Sequence, residues 1–331
     1  MTNESEQSFA VVIIGGGPAG MSAAMGFLEG RVKALLIDRQ AQLGGQLADI
    51  PSPIVNLAGA AVNNGEELRV AMQSSLERAA QFAWADEKRP LLTLRNNCHV
   101  LNLAAFEDFI SVETINAQGI KSSVRADFLI FAGGYRVRQL EAPTAHLANF
   151  WQYHTDNLAG QSDLSASSLA VVGGGDSALL KAISLAPKVK DLHLIHRGKN
   201  FTARPDLITK IAQLPNCRTY CGSKIAELIG AGKLERIKLD GGEEIAVSAV
   251  IVKVGYEPNT ELLEGLVKLN EKRHVIVDHA LKSSHDRIYA AGDIINEEHA
   301  RISTAVGNGM KAAGSIMQRI YHSRSETSER S

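Results

Sequence analysis

Two short glycine runs carry most of the chemistry in this sequence. The first, Gly15-Gly16-Gly17-Pro18-Ala19-Gly20, follows directly on the apolar run Val11-Val12-Ile13-Ile14. Glycines at 15, 17 and 20 have the G-x-G-x-x-G spacing of a dinucleotide-binding turn. Gly15 makes the turn, Gly17 lets a pyrophosphate reach the backbone, and Gly20 brings the following helix close to the strand. A helix expected over Ala19–Glu29 would aim its N-terminal N–H groups at the phosphates. Lys33–Ile37 reads as the next strand and ends at Asp38, whose carboxylate can accept hydrogen bonds from ribose hydroxyls.

The second run, Gly173-Gly174-Gly175-Asp176-Ser177-Ala178, follows the apolar strand Leu169–Val172 and has alanine in its third small position. Asp38 stands 38 − 15 = 23 positions beyond Gly15, and the same step from Gly173 lands on His196, followed by Arg197. An acid repels a ribose 2′-phosphate and a cation accommodates it. The first site therefore suits a nucleotide with a free ribose and the second leans toward NADPH, with NADH as the alternative donor. Two dinucleotides in one chain imply that electrons pass between them.

Positioning these loops requires parallel strands with helices between them. A chain of 331 residues has room for two such units. The expected class is α/β, with two Rossmann-like three-layer nucleotide-binding domains and the second inserted in the first. The discontinuous first domain would take 1–137 and 256–331, and the second 138–255. Gly65–Glu87 reads as a long amphipathic helix with Leu68, Met72, Leu76, Ala79, Ala80 and Ala83 on one stripe. His99–Ala105, Phe109–Ile115 and Arg125–Phe131 read as strands, the first two as a hairpin turning at Phe106-Glu107-Asp108. Leu43–Gln46 reads as a flexible loop, Tyr135–Ser168 as a linker, and Pro205–Gln213 as a helix with proline in its first turn. Ile225–Ile229, Glu235–Leu239 and Ile245–Val254 follow as strands, and Gly255–Thr260 as the return crossover. Ile288–Ala291 is a last strand before Gly292-Asp293. The final helix, Ser303 to about Tyr321, carries Gly307, Gly309 and Gly314, which serve close approach either to a flat ligand or to another helix.

A net charge of −1 gives no pull toward nucleic acid or an anionic membrane. No apolar run approaches the roughly 20 residues of a membrane span. Met1–Ser8 has no apolar core of the signal-peptide kind, and with Ser323–Ser331 it reads as a frayed tail. Three cysteines are too few for a secreted disulfide scaffold, so a cytoplasmic setting is expected. No metal site is expected.

Taken in order, these motifs resemble the low-molecular-weight thioredoxin reductase family and its thioredoxin-reductase-type ferredoxin–NADP reductase relatives, from about Phe9 to Ile320. The motifs are Gly15–Gly20 with Asp38, Gly44-Gly45-Gln46-Leu47, Gly173–Ala178 with His196-Arg197, Ala290-Ala291-Gly292-Asp293 and Thr304–Gly309. The resemblance implies FAD in the first site, NADPH in the second, and a homodimer. FAD would be held by Gly15, Gly17, Pro18, Ala19 and Gly20, by Asp38 and Arg39, and by Gly45, Gln46 and Asn56. Val100, Gly133, Gly292 and Asp293 would join them, with Arg301, Ile302 and Ser303 at the start of the last helix facing the flavin. NADPH would be held by Gly173, Gly175, Asp176, Ser177, His196, Arg197, Lys199, Arg204 and Gly255. The family's later arginine is Thr202 here, with Arg204 close by.

One departure shapes the functional expectation. Thioredoxin reductases carry Cys-x-x-Cys shortly before the second glycine run, where this chain reads Trp151-Gln152-Tyr153-His154-Thr155-Asp156. Cys217 and Cys221 lie beyond His196, and in an extended segment they would stand roughly 13 Å apart, beyond disulfide reach. The expectation is an FAD-dependent NAD(P)H oxidoreductase delivering electrons to a ferredoxin, a flavodoxin or another non-dithiol acceptor. Its alternatives are a small-molecule reductase or oxidase and a non-catalytic flavin-binding sensor. Asp156 and His154 are the remaining candidates for proton transfer, and Tyr321-His322 bears a faint resemblance to the C-terminal aromatic or His that ferredoxin reductases of this type place near the flavin.

Overall fold

The computed structural model describes residues 7–50, 53–87, 89–140, 150–152, 164–295 and 300–328. In chain order the first elements are β1 (Gln7–Ile14), α1 (Pro18–Glu29), β2 (Ala34–Ile37), α2 (Gly65–Glu87), β3 (Leu92–Arg95), β4 (Cys98–Ala105), β5 (Ile110–Asn116), β6 (Lys121–Phe131) and β7 (Tyr135–Val137). Next come β8 (Phe150–Gln152), β9 (Ser168–Val172), α3 (Asp176–Leu185), β10 (Asp191–His196), α4 (Pro205–Ala212) and β11 (Cys217–Cys221). The chain continues through β12 (Ile225–Ile229), β13 (Arg236–Leu239), β14 (Glu244–Ala246), β15 (Ala249–Val252) and β16 (Tyr256–Pro258), and ends with β17 (Ile288–Ala290) and α5 (Ile302–Ser328). It divides into two compact units, Met1–Arg136 with Pro258–Ser331, and Val137–Glu257, against expected borders at 137 and 256.

The first unit is built on a sheet of order β3-β2-β1-β6-β5-β4, with β17 added beside the C-terminal end of β6. β3, β2, β1 and β6 run parallel, whereas β4, β5 and β6 are antiparallel. Both faces of β1 are buried, which explains why its sequence is continuously apolar rather than alternating. Val11 and Ile13 pack with the helices α1, α2 and α5, while Val12 and Ile14 pack with Cys98, Val112, Val124 and Leu263 on the other face. The Phe106 amide donates to the Phe109 carbonyl at 2.9 Å and closes the expected β4–β5 hairpin.

The second unit repeats the plan with an all-parallel sheet of order β11-β10-β9-β15-β8. Leu169, Val171, Leu192 and Leu194 face α3 and α4, and Ala170, Val172, Val250 and Val252 face the antiparallel sheet β12-β13-β14. Each unit is thus three layers deep, with helices on one side of the parallel strands and other structure on the other.

Several expected boundaries differ. The single strand expected over Ile245–Val254 is two, β14 and β15, in different sheets. The chain switches partner at Val247-Ser248, where Val247 donates to the Glu235 carbonyl and Ser248 to that of Ser168. The expected linker contributes a strand, β8, beside β15. β3 is not among the expected strands, although its four residues Leu92–Arg95 alternate apolar and polar. The C-terminal segment expected to fray is helical as far as Ser328.

The glycines of α5 divide by what they meet. A side chain at Gly309 would collide with the backbone of α1 at Ala19, whereas nothing lies within 4 Å of a Cβ at Gly314. Close packing of two helices is therefore what Gly309 serves. Gly309→Leu is expected to cost about 2 kcal/mol or more through overpacking, read as a lowered urea midpoint. Gly314→Ala should gain up to about 1 kcal/mol from helix propensity. Equal behaviour of the two variants would contradict this packing.

Candidate functional site: two nucleotide cradles

In the first unit the turn after β1 is fixed from both sides. The Gly15 amide donates to the Ile37 carbonyl at 2.8 Å, and Ala132 donates to the Ile14 carbonyl at 2.7 Å. Gly15 has φ +102°, and a side chain there would collide with the Ala132 carbonyl, so only glycine makes this turn. Gly17 is the N-cap of α1 and offers no side-chain cap, which leaves the first amides of the helix for a ligand. A Cβ at Gly17 would meet nothing within 4 Å, so the space above the loop is open.

Asp38 is buried, and its carboxylate accepts the amides of Gly16 and, at 2.7 Å, Gln40. Each oxygen retains a second acceptor direction for a ribose hydroxyl. The loop expected to be flexible at Leu43–Gln46 is instead held. The Gly44 amide donates to the Gly16 carbonyl at 2.8 Å, the buried Arg69 side chain packs over Gly44, and Gln46 Nε2 donates to the Tyr135 carbonyl at 2.7 Å. Arg69 is itself fastened to Glu66 at 2.6 Å.

These elements border a cavity of about 350 Å3. Of the residues expected to hold FAD, Gly15, Gly17, Pro18, Ala19, Asp38, Arg39, Gly45, Gln46, Val100, Gly133, Gly292 and Asp293 line it. Gly20, Asn56, Arg301, Ile302 and Ser303 do not. Gly20 packs against the Gly15 carbonyl, and Ile302 joins the small apolar cluster of Leu47, Ile54 and Leu68. Burial pushes the Asp293 carboxyl above the usual range, and the charge of Arg301 works against that rise. An FAD molecule fits this cradle: open amides at the start of α1 to donate, a carboxylate at the end of β2 to accept, and Gly17 facing open space.

Sequence reasoning missed the wall formed by Tyr135, Asn259 and Glu261. The Tyr135 hydroxyl pairs with His274 Nε2 at 2.8 Å, and burial, with the Asp293 charge adding to it, pushes its pKa up to about 12. Asn259 Nδ2 donates to the Gly133 carbonyl at 2.8 Å. The signal for Asn259 was present in the turn-forming Pro258-Asn259-Thr260. Tyr135 follows two glycines and carries no periodic signal of its own.

The second unit presents the same device. The Gly173 amide donates to the Ile195 carbonyl at 2.9 Å, and α3 starts at Asp176 with Gly175 as an uncapped N-cap. The His196 ring lies against Gly174, where any side chain would strike it. A cavity of about 1060 Å3 is lined by Gly173, Gly175, Asp176, Ser177, His196, Arg197 and Gly255. Lys199 and Arg204 are outside that lining. Arg204 turns to Asp176, with its Nε 3.0 Å from Oδ2 and its amide donating to Oδ1 at 2.8 Å.

His154 and Asp156 lie outside the described residues. Cys217 and Cys221 stand at opposite ends of β11, and burial raises both thiols, Cys217 to about 11. Neither is poised as a thiolate. Cys98, Cys217 and Cys221 are all free. The Tyr321 hydroxyl donates to the Gly30 carbonyl at the C-terminal end of α1. Twelve residues of helix, about 18 Å, separate that end from the glycine loop, so Tyr321 belongs to helix packing rather than to the cavity.

A family model described as pyridine nucleotide-disulphide oxidoreductase matches residues 9–309. The chain belongs to that family. It is 27% identical to a thioredoxin reductase of Borreliella burgdorferi over 92% of this chain and 89% of that one. To a ferredoxin–NADP reductase of Levilactobacillus brevis it is 28% identical, over 96% of each. The solved structure of T. acidophilum thioredoxin reductase superimposes with a TM-score of 0.73 at 25% identity, covering 96% of this chain and 100% of that one. The two-domain α/β fold of that reductase is the fold of this oxidoreductase.

Because Gly17 faces open space, Gly17→Leu should fold normally and lose its flavin. The expected result is an unchanged melting temperature of the apoprotein with FAD occupancy, read from visible absorbance, close to zero. Full occupancy in the variant would show that the pyrophosphate does not cross this loop.

Proposed function

We propose that this oxidoreductase carries FAD in the first cradle and NADPH in the second, and hands electrons from NADPH to an acceptor that is not a dithiol. The observation that carries the reading is the pairing of two glycine cradles with the sequence Trp151–Asp156, which has no cysteine where the family's redox pair stands. When bound, FAD supplies the exchange between hydride and single electrons. The residues of this chain bind and orient. The α1 amides meet the pyrophosphate, Asp38 the ribose, and Asp293 the ribityl–phosphate region, while the Tyr135 side of the cavity excludes water. In the second cradle the α3 amides meet the pyrophosphate of the nicotinamide nucleotide, with His196 and Arg197 beside its ribose.

The thiols support the same reading, since all three are free and two are held protonated by burial. Free thiols agree with a reducing, cytoplasmic compartment. The acceptor is a small redox protein of the ferredoxin or flavodoxin kind, and the functional form is a homodimer.

The test is a panel of acceptors. The purified protein should reduce ferricyanide with NADPH and leave the disulfide of thioredoxin oxidised. A variant with Cys98, Cys217 and Cys221 all replaced by serine should keep its ferricyanide activity. Thioredoxin reduction by the wild type that vanished in this variant would reveal a thiol relay and overturn the proposal.

A further inference from the structure

The second cradle lacks part of the positive charge that the sequence places there. His196 is committed: its Nε2 lies 3.0 Å from the Asn200 carbonyl, its ring stacks on Phe201 at 5.6 Å, and it rests on Gly174. Arg204 is turned to Asp176, and neither it nor Lys199 borders the cavity. Arg197 alone of the expected cations remains to meet a phosphate at the ribose end.

A turn that sequence reasoning passed over comes to the same place. β11 pairs with β10 in register, His196 opposite Cys221, and the next three residues fold back along the segment that follows β10. The Gly222 amide donates to the Gly198 carbonyl at 2.9 Å, and the Ser223 amide to the His196 carbonyl at 3.1 Å. Ser223 and Lys224 both line the cavity. The backbone of Lys224 is held on its other side: its amide donates to Asp240 Oδ1 at 3.2 Å, and the Asp240 amide donates to the Lys224 carbonyl at 2.9 Å. Asp240 also lines the cavity, and a carboxylate there needs a cation before any anion can settle nearby. Lys224 is exposed where it lines the cavity.

We propose that Lys224, with the Ser223 hydroxyl beside it, supplies with Arg197 the contacts to the 2′-phosphate of the dinucleotide in the second unit. Discrimination between NADPH and NADH then rests on the turn after β11 as much as on the end of β10. This inference depends on the reading of the second cradle as an NADPH site.

Calorimetry on the FAD-loaded protein with two fragments tests it: 2′,5′-ADP, which carries the phosphate in question, and ADP, which lacks it. Wild type should bind 2′,5′-ADP the more tightly. Lys224→Ala should weaken 2′,5′-ADP about tenfold or more, the loss expected for a charge-assisted contact, and leave ADP unchanged. Ser223→Ala should act in the same direction with smaller effect. Lys224→Ala that keeps the wild-type preference for 2′,5′-ADP, or that loses both fragments equally, overturns the role of Lys224 alone. A wild type that binds the two fragments equally strikes the NADPH reading itself, and this inference falls with it.

Discussion

The buried carboxylate of Asp38 accepts the amides of Gly16 and Gln40, and so ties the glycine turn after β1 to the end of β2. That turn also receives the Gly44 amide through the Gly16 carbonyl. The turn after β1 and the segment that follows β2, from Asp38 to Gly44, are thereby locked around one point, with the first amides of α1 left outward. An unpaired buried carboxylate would be costly, and here the same amides that satisfy Asp38 set the shape of the cradle. Shortening or neutralising this residue would loosen both segments together.

The second unit solves the same problem with different chemistry. There the residue at the end of the second strand is His196, which packs its ring on Gly174 where Asp38 hydrogen-bonds to Gly16. A flat ring covers the middle glycine by contact, and its Nε2 serves the Asn200 carbonyl. In both units the parallel strands are buried on both faces, and the turns at their C-terminal ends collect residues that line the cavities.

Much of this was legible in the residues. Val11–Ile14 and Leu169–Val172 are unbroken apolar runs ending in glycine, and both are central parallel strands followed by a helix. The long stripe from Leu68 to Ala83 marked α2 from end to end. Charge placement was less legible, because it depends on which side chains find partners. Arg204 looks available in sequence, and Asp176 engages it only once α3 and α4 start side by side. Lys224 reaches its cavity from the turn after β11 and Tyr135 from the three-residue strand β7, both too short for periodicity to mark, with directions set by tertiary hydrogen bonds. Tyr321 stands near the C-terminus as such an aromatic would, yet its hydroxyl is spent on the carbonyl of Gly30, which caps α1.

On the function proposed above, electrons leave this protein from a flavin with no dithiol behind it. An anaerobic titration of the FAD-loaded protein with dithionite, followed by absorbance, tests that most directly. Full bleaching is expected after about two electron equivalents per FAD, the capacity of the flavin alone. Uptake of about four, with thiols appearing as the flavin bleaches, would show a second redox centre in the chain and contradict it.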